Sequence, residues 1–382
     1  MLSPREVIAD IRRLYRADLP PAEDEDLRVG MAGRLLPLVT NELYESGTHF
    51  FRELLQNADD NSYSSGVVPS LTLIAMPDSL VLVNNETGFE EAQVRAVCDA
   101  AKSTKKDRKH FKEGMTGEKG IGFKAVFQVS DRPEVHSNGC HFRFDKNKNR
   151  PFGTVIPEWI EGVPDEPGTR IVLPLRTGYH LPPEFLKDLQ PELLLFLRRL
   201  KRFEFQDKDY DCSLVLDRTD EGATVTVVRT VTDNVERHKS AEHRHRFRVQ
   251  SKRVSMMAIY EERRPNIEAT EVTIALALDA DGTVDETRER DLFAFLPIKN
   301  SGFKFLAHAY FVSATSREGV QEGLPWNVRL RDSLGDCLAE AVLACRFTPS
   351  PGATALRVIG DPSTASDQFI AGILSRAIEL LI

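Results

Sequence analysis

The spacing of apolar residues changes from helical to β within the first hundred residues, and this confines the chain to folds that mix the two. A helical stretch is expected from about Leu36 to Asn61. Directly after it, apolar residues alternate from Leu71 to Ala75 and from Leu80 to Val83 around a Pro77-Asp78-Ser79 turn, the pattern of two paired strands. Ahead of both, Ser3-Pro4-Arg5-Glu6 carries the chemistry of a helix start, followed by Ile8, Ile11, Leu14 and Tyr15 at helical spacing. Further strands are expected near His141–Phe144, Thr169–Leu175, Cys212–Val231 (turning at Asp220-Glu221-Gly222), Thr270–Leu278 and Phe303–Val312. Helices are expected over Pro183–Leu200, interrupted at Pro191, and over Arg331–Cys345.

Length and charge bound the function classes. At 382 residues the chain suggests two domains, with a boundary near 205–210. Its 50 basic against 58 acidic residues give a net charge of −8, which argues against a protein that coats nucleic acid or an anionic membrane. Five scattered cysteines without a CxxC read as reduced thiols, with neither a disulfide framework nor a zinc site. No apolar run reaches the ~18 residues of a membrane span, and charges from Arg5 onward do not suit a secretion signal. A cytoplasmic protein is expected, with a nuclear one allowed.

Four segments carry chemistry. In Glu53-Leu54-Leu55-Gln56-Asn57-Ala58-Asp59-Asp60, the side chains of Glu53, Asn57 and Asp60 project within about 40° of one direction on a helix, while Leu54, Leu55 and Ala58 face a core. Asn can give an oxygen to Mg²⁺, and Glu can take a proton from water. The same pattern also suits an amphipathic helix with a solvated face. Gly117-Glu118-Lys119-Gly120-Ile121-Gly122-Phe123-Lys124 spaces its glycines so that backbone can approach phosphates, without the Gly-Lys-Ser/Thr of a Walker loop. Val83-Asn84-Asn85-Glu86-Thr87-Gly88-Phe89 runs from a strand end into a turn, and Gly168-Thr169-Arg170 enters an apolar strand.

Together and in this order, the segments resemble the ATP-binding domain of the Bergerat-fold or GHKL superfamily, which includes gyrase B, ninety-kilodalton heat-shock chaperones, sensor histidine kinases and MutL. The sacsin and NO VEIN branch is most similar, on His49-Phe50, Glu53–Asp60, Asn84-Asn85-Glu86, Gly88-Phe89, Lys102-Ser103-Thr104-Lys105 and Gly117–Lys124. The similarity continues through Phe295-Leu296-Pro297, Ser316-Arg317-Glu318 and Trp326-Asn327. It implies an α+β fold: a two-layer α/β sandwich over residues 1–207, its mixed, mostly antiparallel sheet covered by helices, with an N-terminal helical extension and a lid over about 99–120. A second α+β domain would cover 208–382.

The resemblance also implies roles. Asn57 would hold Mg²⁺, Glu53 would be the general base, and Gly117, Lys119, Gly120, Ile121, Gly122 and Phe123 would wrap the phosphates. Thr169 would reach the adenine edge, Lys102 would lie near ribose or phosphates, and Asp60, Asn84, Asn85 and Gly88 would complete the site. Chaperone-type members carry an aspartate where Asn84 and Asn85 stand, so an asparagine oxygen would accept the adenine amino group without charge assistance. Glu86 could supply the carboxylate under a different registration of the turn. Glu53 favours hydrolysis over phosphotransfer. Arg317 would approach the γ-phosphate or, equally, form a structural ion pair with Glu318.

The basic stretch Lys102–Lys119 fits a lid better than a nucleic-acid surface. A second basic cluster, His243-Arg244-His245-Arg246, places two histidines on one strand face and fits a solvated strand better than a metal site. Trp326 reads as a core anchor. The expected function is Mg²⁺-dependent ATP binding with slow hydrolysis, driving lid and inter-domain movement in a chaperone-like or regulatory role. An ATP-sensing module without turnover, or an ATP-dependent enzyme of specialised metabolism, are the alternatives. Expected partners are ATP and ADP, an unidentified protein or small-molecule client, and a second copy in a homodimer, with neither nucleic acid nor membrane. At this length a client would have to meet these two domains or another chain.

Overall fold

In the computed structural model of the chain, residues 2–18, 49–99, 122–148, 150–182, 185–233, 239–313, 319–345, 355–365 and 367–382 are described. The fold is α+β, with one large, mostly antiparallel sheet and several helices.

The strands are β1 (Ser70–Met76), β2 (Ser79–Asn84), β3 (Glu134–Ser137), β4 (Cys140–Arg143), β5 (Glu158–Trp159), β6 (Thr169–Pro174) and β7 (Arg202–Asp207). Beyond them lie β8 (Cys212–Glu221), β9 (Thr224–Asp233), β10 (Lys239–Ser255), β11 (Ala269–Leu278), β12 (Arg290–Ala294), β13 (Leu296–Phe303) and β14 (Leu306–Ala309). Among the described residues they form one sheet in the order β13-β12-β14-β11-β10-β9-β8-β7-β1-β2-β6-β3-β4-β5. Two pairings, β1 with β7 and β12 with β14, are parallel. Pairing continues without a break across residues 207 and 208, because β7 bonds β1 on one edge and β8 on the other.

The helices are α1 (Pro4–Leu14), α2 (His49–Asp60), α3 (Glu91–Val97), α4 (Phe185–Asp188), α5 (Pro325–Cys345) and α6 (Gln368–Leu381). The Ser3 capping box starts α1 as expected: the Ser3 hydroxyl accepts from the Glu6 amide and the Glu6 carboxylate accepts in return. On α2, Phe50, Phe51, Leu54, Leu55 and Ala58 are buried, and the Phe51 ring meets Phe203 of β7 and Phe185 of α4, each at 5.2 Å. The 3₁₀ helix Gly122–Gln128 packs beside α2. α5 and α6 pack on each other, and α5 covers β10, β11 and β14. Trp326 is buried, with its indole N–H donating to the Tyr310 carbonyl at 2.9 Å.

Two local expectations need correction. The helix expected over Pro183–Leu200 is reduced to α4 and a 3₁₀ turn at Pro191–Leu194. Side chains claim the backbone that a helix would use: Arg218 donates to the carbonyls of Leu194 and Leu197, and the Asp59 carboxylate accepts the amides of Arg198, Arg199 and Leu200. The single strand expected over Phe303–Val312 is the end of β13 and the separate β14. Residues 36–48 and the expected lid lie outside the described residues, apart from Asp99 at its edge. Among the described residues, no helix is long and apolar enough to cross a membrane.

Candidate functional site

The site is built on the polar side of α2. Glu53 is only 2% exposed although it is a carboxylate, while Asn57 is half-buried. Gly122, which opens the 3₁₀ helix, lies directly against both. A Cβ at Gly122 would stand 2.5 Å from Glu53 Oε2 and 3.7 Å from Asn57 Nδ2. A side chain at this position would therefore push the Glu53 carboxylate aside. The third member of the expected polar stripe, Asp60, is half-buried, and its backbone carbonyl accepts from Arg199 at 2.7 Å.

A second group forms where the turn after β2 crosses β6 and β3. Glu86 is 6% exposed, and its Oε1 accepts the Thr169 hydroxyl at 2.6 Å. The Thr169 oxygen also lies 2.6 Å from the Ser137 hydroxyl, which accepts the Phe89 amide at 2.8 Å. Burial pushes the Glu86 carboxyl up to about 7, against the opposing effect of the Thr169 hydrogen bond. Gly88 holds the turn at φ +90°, where a Cβ would also meet that of Asn138 at 2.8 Å.

The Asn84 and Asn85 side chains are engaged elsewhere, by neighbouring backbone and, for Asn84, by the side chains of Asn61 and Tyr63. The Asn84 side chain accepts from Asn61 (3.1 Å) and donates to the Tyr63 hydroxyl and the Ser70 carbonyl (2.8 Å each). Asn85 accepts the Ser70 amide and donates to the Val68 carbonyl, both at 2.8 Å. With those groups engaged, Glu86 is the side chain that meets Thr169. Its signal in the sequence was a carboxylate two residues before a turn glycine.

Phe123 is buried, with its ring centre 6.0 Å from that of Phe144. Lys124, 2% exposed, donates to the carbonyls of Val97 (2.6 Å) and Thr154 (2.7 Å) and lies over the Phe144 ring at 4.7 Å. Burial pulls its amine down to about 8. Lys102, Gly117, Lys119, Gly120, Ile121 and Arg317 lie outside the described residues. His243 and His245 share a face of β10, and burial lowers the pKa of His245. Among the described residues, no three His, Cys, Asp or Glu side chains are grouped to hold a metal.

No protein-family model matches the chain. The chain is 34% identical over 345 residues to Protein NO VEIN of Arabidopsis thaliana, an alignment that covers 83% of this chain and 12% of that protein. It is 27% identical over 189 residues to the chaperone protein HtpG of Chlorobium phaeobacteroides, covering 42% of this chain and 30% of HtpG. The chain is thus homologous to NO VEIN over most of its own length and spans a minor part of either relative.

Proposed function

We propose that this chain is a GHKL-type module, with its N-terminal half a Bergerat sandwich, that binds Mg-ATP and hydrolyses it slowly in a chaperone-like or regulatory role. The observation that carries this reading is the contact of Gly122 with both Glu53 and Asn57: the end of a glycine-rich segment lies on the one helix face that bears a general base and a neutral oxygen donor. The likeness to the chaperone protein HtpG supports the chaperone-like direction.

The residues present suit the group they would hold. Mg²⁺ prefers hard oxygen ligands, and the Asn57 side-chain oxygen is one. When bound, the ion neutralises charge on the phosphates. Glu53 orients a water and takes its proton as the water oxygen bonds to the terminal phosphorus and the bridging P–O bond breaks. Glu86 accepts from the adenine amino group, and the Thr169 and Ser137 hydroxyls hold it in place. This assigns to Glu86 the base-recognition role first expected of Asn84 and Asn85. Recognition by a carboxylate restores charge assistance, worth ~1.5–3 kcal/mol against ~1 for a neutral hydrogen bond.

Calorimetry with ATP, with and without Mg²⁺, followed by phosphate release, tests the reading. Glu53→Ala is expected to keep ATP binding and lose turnover by ~10²–10⁴-fold. Asn57→Ala is expected to lose Mg-ATP binding, and undiminished affinity in that variant would overturn the site.

A further inference from the structure

The chemistry above leaves one buried acid of α2 unused. Asp59 lies two residues beyond Asn57, so it points about 200° away, to the other side of the helix. It is 1% exposed, and its carboxylate accepts three consecutive backbone amides: Arg198 on Oδ2 (2.9 Å), and Arg199 (2.8 Å) and Leu200 (2.9 Å) on Oδ1. The Arg199 guanidinium returns to the carbonyl of Asp60 at 2.7 Å, so the last turn of α2 and residues 198–200 are tied in both directions.

The segment held by Asp59 is itself fastened to the C-terminal strands. Phe196 stacks on His308 of β14 (centroids 5.0 Å, planes 20° apart) and meets Phe293 of β12 at 4.8 Å. Glu192 pairs with Arg290 of β12 at 2.9 Å. His308 accepts the Phe295 amide on Nδ1 (3.2 Å), and burial keeps it neutral, with its pKa pulled down to about 3. Further along α2, Arg52 acts electrostatically on Asp291 of β12. One side of α2 therefore carries Glu53 and Asn57, while Asp59 ties the helix to a segment packed on β12 and β14.

We infer that Asp59 is a positioning residue that fixes the rotation of α2, and hence the aim of Glu53 and Asn57, against the 190–200 segment, so that occupancy of the site and packing of β12–β14 are energetically linked. The inference rests on the nucleotide reading above. Linkage is reciprocal: a change at Phe196 must reach the site, and nucleotide must reach β12 and β14. No covalent step is involved.

The test uses the full chain, with Asp59→Asn, Phe196→Leu and the double variant. An asparagine at 59 can keep the acceptor for Arg199 and Leu200 but sets an N–H against that of Arg198. In the wild type, ATP is expected to change amide hydrogen exchange within 290–309. In Asp59→Asn that response is expected to vanish and kcat to fall about tenfold with little change in KM, as for a group that aims the reacting residues without itself binding nucleotide. Phe196→Leu, which lies outside the site, is expected to lower kcat as well, and the two effects to be non-additive. If Asp59→Asn does not fold, Phe196→Leu and its exchange response decide alone. ATP binding by a wild type whose 290–309 exchange does not respond, or additive effects in the double variant, overturns the inference and leaves the nucleotide reading standing. A wild type that binds no ATP overturns both.

Discussion

At the scale of single residues, the contact between Gly122 and Glu53 sets a sharp expectation. The atom that a new Cβ would meet is the end of a side chain that can swing, so Gly122→Ala is expected to displace the Glu53 carboxylate rather than break the fold. Phosphate release should fall by about a hundredfold, as for a ~1 Å misplacement of a reacting group, with the melting temperature little changed. Glu86 sets a second expectation. With its carboxyl raised to about 7 by burial, the nucleotide-free protein holds a proton there below that pH. In the proposed nucleotide site, adenine recognition would use the ionised form, so ATP affinity should rise with pH, by up to about tenfold per unit, and level off above 7. Calorimetry between pH 5.5 and 8.5 reads this, and in Glu86→Gln the slope should disappear. The same group favours the folded state least at high pH: its contribution to stability declines as pH rises from 4.5, the ordinary value, to about 7. Sequence spacing alone placed Glu53 and Asn57 on one helix face, because 100° per residue needs no tertiary knowledge. It could not choose between Asn84, Asn85 and Glu86, because that choice depends on the Tyr63, Ser70 and Val68 groups that engage the two amides.

At the scale of elements, α5 is seated by its first turn. Asn327 is fully buried; it accepts the Val312 amide and donates to the carbonyls of Val312 and Gln321, all at 2.8 Å. Asn327→Ala strands the Val312 amide, while the Val312 and Gln321 carbonyls keep the amides of Gln321 (3.1 Å) and Leu324 (3.2 Å), and at ~1–3 kcal/mol for an unmet buried group the expected loss is about 1–3 kcal/mol. Denaturant unfolding measures it, and ATP affinity should be untouched at temperatures where the variant is folded. The helix itself was legible from its apolar spacing, beginning six residues later than it does, at Arg331 rather than Pro325. The failed helix at 183–200 shows the opposite case. Its leucines have helical spacing, yet Arg218 and Asp59, distant in sequence, take the backbone groups that would have closed the turns.

At the scale of the whole molecule, the sheet runs from β13 to β5 through β7, which pairs with β1 on one edge and with β8 on the other. A fragment of residues 1–207 would end on β7 with one edge bare and with Phe203 and Phe205 deprived of Leu216 and Leu214. Exposed apolar strand edges recruit other chains, so this fragment is expected to self-associate. Light scattering coupled to size exclusion tests this, and a monomer with the melting point of the full chain would refute it. The sequence by itself determined the α+β class of the fold, the positions of several strands, the first capped helix and the placement of Glu53 and Asn57 on one face of α2, because each depends on periodicities and caps within a dozen residues. Only the tertiary structure decided that Gly122 closes on Glu53, that Glu86 rather than Asn84 meets Thr169, and that Asp59 anchors residues 198–200. Each of these joins groups between 69 and 141 positions apart in the chain, or settles which of several neighbouring side chains is already committed to the backbone. Local propensity carries no information about either.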